Sequence, residues 1–170
     1  MSSLIGFARG VKFAAIIATT LTLGACASQQ DNAGDGGAGG LGGGAGAATP
    51  GSQQDFVVNV GDRVFFTVDS SDLTSEARGT LDRQAAWLAR YPRYGVTVEG
   101  HADERGTREY NIALGARRAA ATRDYLIARG VPSSRLKTIS YGKERPVAVC
   151  DQENCWNQNR RAVTVLGGAQ

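Results

Sequence analysis

Apolar positions along the chain fall into three regimes. Phe13 to Leu23 is a short apolar run, well below the roughly 20 residues a bilayer span needs. Residues 27 to about 54 hold few large apolar side chains. From residue 55 onward, periodicity takes over. Arg63 to Val68 is rich in β-branched and aromatic residues and predicts a strand, followed by a turn from Asp69 to Leu73. Thr74 is placed to cap a helix to about Arg90, with Ala77, Leu81, Ala85 and Leu88 at helical spacing and Pro92 as its stop. Gly95 to Glu99 alternates as a second strand, and residues 100–106 read as a loop. Thr107 caps a long helix that ends near Arg129, with Gly130 as the stop and Pro132 beyond. Ile112, Leu114, Ala119 and Leu126 supply its apolar face. Lys137 to Tyr141 is a third strand, residues 142–158 a loop, and Arg160 to Leu166 a last strand. The order strand-helix-strand-helix-strand-strand predicts an α+β domain, one sheet covered by helices.

The first two regimes are not part of that domain. Arg9 and Lys12 precede the apolar run, and Leu23-Gly24-Ala25-Cys26 follows it, so residues 1–25 read as a signal peptide. A cysteine directly after small residues resembles the bacterial lipobox. That resemblance implies diacylglycerol on the Cys26 sulfur, cleavage before it and acylation of the new amine, hence a lipid anchor of several chains. Ala27, where an aspartate would resemble an inner-membrane retention signal, points to the outer membrane. Residues 31 to 51 contain ten of the chain's 23 glycines. Such a stretch buries too little to offset its chain entropy, so residues 26–54 read as a flexible tether. Its span is roughly 30 Å as a coil and roughly 100 Å extended. Residues 55–170 remain for the domain.

Charge narrows the function. The chain carries 19 Lys and Arg against 16 Asp and Glu, a net of +3. Without Arg9 and Lys12 the balance is 17 to 16, or +1, which offers no electrostatic case for nucleic acid. Cys150 and Cys155 are the only thiols once Cys26 is acylated, and an exported chain favours a disulfide between them. Their C-x4-C spacing and the single histidine, His101, argue against a metal site. No nucleophile elbow or HExxH helix is present, so neither an enzyme nor a bound cofactor is expected.

The informative stretch runs from Val98 to Ala119: a strand end, a charged glycine-bounded loop, then a capped helix. Asn111, Leu114 and Arg118 share one helix face, which begins just beyond the loop holding Asp103 and Arg105. A carboxylate and a guanidinium therefore converge at the helix mouth, where free amides also favour an anion. This suits a zwitterion, with an ammonium beside Asp103 and a carboxylate forked by Arg118. Asp69 reads equally as a turn residue or a contact, and Arg105 as a surface charge or a pocket residue. Arg118 has Arg117 beside it, and one of the two is a solvated surface residue. His101 reads as pinning the loop, and Arg160 and Arg161 as packing beneath the loops.

The runs VEGHADERGT (98–107), YNIALGARRA (110–119), SYGKERP (140–146) and NRRAV (159–163) closely resemble the OmpA-like peptidoglycan-binding domain family, and within it the lipoproteins of the Tol–Pal system. The resemblance covers roughly residues 60 to 168. It implies a β/α/β/α/β2 fold and non-covalent binding of peptidoglycan through the diaminopimelate of the stem peptide. By position, the resemblance implies that Asp103 and Arg118 grip the diaminopimelate, that Asp69 contacts it, that Arg105 and Leu114 line the pocket, and that Asn111 holds loop to helix. It also implies the periplasmic protein TolB as partner, and a role in envelope integrity and cell division. Thr67 and Ser70-Ser71 depart from the family pattern near Asp69. They motivate the alternative of a periplasmic protein–protein adaptor with weak or no wall binding.

Overall fold

The computed structural model describes residues 48–169. Cys26 and most of the expected tether lie outside the described residues. The packed part begins with a short element that periodicity did not reveal. Ser52 caps α1 (Gln53–Asp55), which runs into a π-helical turn, Phe56–Gly61. Phe56 is fully buried, its ring 4.9 Å from that of Trp87. Asp55 accepts hydrogen bonds from Trp87 Nε1 and the Gly51 amide, both 2.8 Å, and Tyr94 donates its hydroxyl to the Gly51 carbonyl. The folded part thus reaches back to Gly51.

Four strands form one mixed sheet in the order β1-β4-β2-β3. β1 (Arg63–Phe65) pairs antiparallel with β4 (Arg161–Ala169), β4 antiparallel with β2 (Tyr94–His101), and β2 parallel with β3 (Leu136–Gly142). The expected strand from Arg63 to Val68 stops at Phe65, because its partner among the described strands, β4, begins at Arg161 opposite it. Beyond that point Phe66 N–H still reaches the Arg160 carbonyl, but the carbonyls of Thr67 and Ser70 turn to a side chain instead. β2 runs two residues past Glu99 because the parallel ladder to β3 continues to His101.

Helices α2 (Ser75–Arg90) and α3 (Arg108–Ala128) start where the sequence places their caps. Thr74 Oγ1 accepts from Ala77 N–H at 3.1 Å, and Thr107 Oγ1 from Tyr110 N–H at 3.2 Å, each satisfying a donor the helix cannot. Gly130, at φ 93°, ends α3. Ala77, Leu81, Ala85 and Leu88 of α2 and Ala119 and Leu126 of α3 join Val64, Val96, Val98, Leu136 and Ala162 of the sheet in one core. Gln84 is buried within it and satisfied on both sides: it donates to the Gly61 carbonyl (2.7 Å) and accepts from Thr164 Oγ1 (2.8 Å). Helix and sheet approach backbone to backbone where Gly115 of α3 lies against Gly100 of β2.

The expected loop from 142 to 158 contains a helix, α4 (Glu153–Asn159). Its sequence shows no apolar face, and Asn159 is its one buried residue. Tertiary ties hold it in place of hydrophobic burial. Cys155 is disulfide-bonded to Cys150 (S–S 2.04 Å). The Asn159 side chain accepts from Val147 N–H (2.9 Å) and donates to the Ala148 carbonyl (2.7 Å).

Candidate functional site

The turn after β1, the loop that follows β2 and the first half of α3 line a cleft of about 300 Å³. All six residues singled out from the sequence line it: Asp69, Asp103, Arg105, Asn111, Leu114 and Arg118. Asn111 shapes the loop, as its position suggested: its Nδ2 donates to the carbonyls of Arg105 (2.7 Å) and Thr107 (3.1 Å). Gly106, at φ 86°, makes the sharp turn that this bridge closes.

Arg118 is the largest fully buried side chain described, while Arg117 beside it is exposed. Its guanidinium is held by three main-chain carbonyls: Ser70 from Nε (2.8 Å), His101 from Nη1 (2.9 Å) and Thr67 from Nη2 (3.1 Å). The departures at Thr67 and Ser70 therefore leave this grip intact, since it uses backbone rather than side chains. Phe66 lies under the guanidinium at 5.2 Å. Burial pulls the Arg118 pKa down to about 10, with Asp103 opposing and Arg160 adding to the drop, so the cation persists at neutral pH. Among the described residues no carboxylate pairs with it directly, and two of its five N–H donors remain unspent.

Asp103 is held differently. Arg105 binds it through Nη2 (2.6 Å) and Nε (3.2 Å), and the buried Arg160 through Nη1 (3.3 Å). Burial pushes its carboxyl up, but these hydrogen bonds outweigh burial and hold it below the ordinary value. Arg160 does pack under the loops, as read from the sequence, with Nε on the Phe66 carbonyl (3.2 Å) and a salt bridge to Glu153. Its pairing with Asp103 was not anticipated. Arg105 also stacks over Trp156 of α4 at 4.2 Å, and Trp156 Nε1 donates to Glu104 (2.7 Å). Sequence reasoning missed these α4 residues because the segment showed no periodicity to place them.

Asp69 is both a turn residue and a cleft residue. Its φ of 53° is the one left-handed value among described non-glycine residues, a conformation aspartate tolerates better than most. Its carboxylate accepts the hydroxyl of Tyr110, a cleft residue the sequence did not single out. Tyr110 stands in the first turn of α3, one residue before Asn111, and that placement was the available signal.

His101 differs from expectation. Its main-chain carbonyl, through Arg118, ties the loop. The imidazole is buried against Tyr141, and neither ring nitrogen finds a hydrogen-bonding partner among the described residues; the Glu99 carboxylate, 3.7 Å from Nε2, is beyond hydrogen-bonding reach and only partly opposes the cost of burying a charge there. Burial first, then Arg161 and Arg145, push its pKa down to about 4. An unfolded histidine titrates near 6.5. Between those values the unfolded chain binds a proton that the fold refuses. The stability at stake is fully present above pH 6.5 and is lost as pH falls toward 4, by roughly 3 kcal/mol. Chemical denaturation at pH 7, 5.5 and 4.5 should show this decline, and His101→Phe should flatten it; an equal slope in the variant rules the histidine out.

The sequence profile of the OmpA family matches residues 65–161. A peptidoglycan-associated lipoprotein of Rhizobium meliloti (strain 1021) is 71% identical over 150 residues, covering 88% of this chain and 84% of that protein. A peptidoglycan-associated lipoprotein of Pseudomonas putida is 43% identical over 155 residues, covering 88% and 93%. The crystal structure of the peptidoglycan-associated lipoprotein from Burkholderia pseudomallei superposes with a TM-score of 0.61 at 40% identity, over 62% of this chain and 90% of that one. The C-terminal domain of Helicobacter pylori MotB does so with 0.59 at 25% identity, over 63% and 84%.

Proposed function

We propose that this chain, which belongs to the OmpA family and within it to the peptidoglycan-associated lipoproteins, holds the cell wall non-covalently by gripping the diaminopimelate of a stem peptide in the Asp103–Arg118 cleft. The observation that carries this is Arg118: a buried cation held only by neutral carbonyls, facing a cleft that also contains a buried carboxylate. A ligand carboxylate supplies the missing counter-charge through the two unspent N–H groups. The ligand's ammonium goes to Asp103. Arg105 stands in that place, paired with Asp103. Its side chain is 41% exposed and already rests on Trp156, so its guanidinium can turn from Asp103 to solvent without leaving a buried charge unpaired. Leu114 and Val68 supply apolar wall for the methylenes between the two charged ends.

In this reading acylated Cys26 fixes the chain in the outer membrane, the residues between Cys26 and Gly51 lead to the domain, and the domain faces the periplasm. The protein then ties membrane to wall within the Tol–Pal system, with TolB as its protein partner. The test is calorimetric titration of the full chain in neutral detergent with two muropeptides, one carrying meso-diaminopimelate and one carrying lysine. Lysine lacks the second carboxylate and so loses one charge-assisted pair. Its affinity should fall by a factor of about 30 or more. Equal binding of the two removes the zwitterion grip, and no binding of either removes the wall ligand altogether.

A further inference from the structure

A second cleft, of about 430 Å³, lies at the opposite end of β2. Seven strand steps of about 3.3 Å put it about 23 Å from the Asp103 loop. Arg93, Arg135 and Lys137 line it, and no Asp or Glu does. Among the described residues none of the three is in a salt bridge. Arg93 donates to the Gly51 carbonyl (2.9 Å) and the Tyr94 hydroxyl (3.2 Å). Arg135 donates to the carbonyls of Tyr94, Leu88 and Tyr91. All these acceptors are neutral, so three cations line one cleft with no carboxylate partner among the described residues. The floor is a β-bulge made of glycine. Between the pairs Tyr94–Ala169 and Val96–Leu166, Gly95 alone faces Gly167 and Gly168. Two residues opposite one leave a main-chain group outside the ladder. A methyl at Gly95 or Gly168 would meet no atom within 4 Å, which fits an open cradle.

We infer that this cleft takes the phosphate of an anionic lipid headgroup. A cationic cradle with arginine forks and no carboxylate suits a phosphate, and the volume has room for the headgroup around it. Lipid is favoured over a soluble phosphate by position. Gly51, where the chain joins the domain, is tied to Arg93 and Tyr94 at this same pole. The sequence preceding Gly51 leads to Cys26, the expected acylation site. One pole therefore meets the membrane that carries the anchor while the other presents the Asp103–Arg118 cleft. Phosphate binding itself does not depend on what that distant cleft holds.

The test uses the chain from residue 26 onward with Cys26→Ser, so that neither an acyl chain nor the apolar run of residues 13–23 contributes. Flotation is measured with vesicles of phosphatidylcholine alone and of phosphatidylcholine mixed with phosphatidylglycerol, and inorganic phosphate is titrated while the amide signals of Gly95, Gly167 and Gly168 are followed. The inference expects binding to the mixed vesicles only, with phosphate shifting those glycines. Lys137→Gln, which removes an exposed side chain and no fold contact, should weaken vesicle binding about fivefold. Adding Arg93→Gln should bring the loss to about thirtyfold, at roughly one such step per cation near an anionic surface. Arg78→Gln, an exposed cation on α2, is the control of equal charge. An equal loss there means diffuse attraction and overturns the site. Shifts with phosphate but no vesicle binding overturn the lipid assignment in favour of a soluble phosphate. Absence of both overturns the inference entirely.

Discussion

Gly100→Ala is expected to lower the unfolding free energy by about 4 kcal/mol, above the 1–3 kcal/mol usual for overpacking. A Cβ built on Gly100 falls 1.8 Å from the Gly115 carbonyl oxygen and 2.6 Å from its carbon. Those are backbone atoms, so no side-chain rotation relieves the clash. α3 must lift off the sheet, and Ala119, 3.2 Å from the same point, moves with it. The strand cannot retreat instead, because β2 is flanked on both sides by β3 and β4. For a domain of this size the loss corresponds to a melting temperature about 15 °C lower. Gly115→Ala attacks the contact from the other side, where Ser140 Oγ would lie at 2.4 Å and the Gly100 carbonyl at 2.9 Å. Thermal melts of Gly100→Ala, with Gly95→Ala as the strand glycine in open space, measure the effect. A Gly100→Ala protein as stable as Gly95→Ala would show that the close approach is not structural.

Arg118→Lys is expected to cost both stability and ligand affinity, and Arg117→Ala neither. The three carbonyls that hold Arg118 come from Thr67, Ser70 and His101, and only a planar fork reaches all three. A lysine ammonium is a single point that satisfies one or two of them. The carbonyl left over should cost about 1–3 kcal/mol of stability. At the cleft the proposed bidentate hold on a ligand carboxylate would be lost as well, with an expected fall in muropeptide affinity of about a hundredfold. Arg117 is exposed, its guanidinium 6.0 Å from the Tyr110 ring centroid, and its removal should stay within about 0.5 kcal/mol. Denaturation and titration of the two variants separate the roles. If Arg117→Ala abolishes binding and Arg118→Lys does not, the assignment has slipped by one residue.

Both predictions turn on features of unequal legibility. The helices could be read because local rules sufficed: Thr74 and Thr107 cap them, Gly130 ends one, and apolar residues repeat along each buried face. Asp103, Asn111, Leu114 and Arg118 were legible for a related reason. A loop followed directly by a helix face brings them together through short-range geometry alone, and the structure places all four in one cleft.

What the sequence determined by itself is therefore what lies within a few residues along the chain: the caps, the alternation of β2, the shared face of α3 and the family resemblance these motifs carry. Long-range packing decided the rest. β1 stops at Phe65 because its partner strand begins there, 96 residues later, at Arg161. α4 is a helix because a disulfide and Asn159 hold it, with no apolar face to announce it. Arg160 reaches Asp103 across 57 positions, and Arg118 reaches the Ser70 carbonyl across 48. Local periodicity records which face of an element is buried. It does not record which distant carbonyl or carboxylate will neutralise a buried charge, because that partner is chosen only when the sheet assembles.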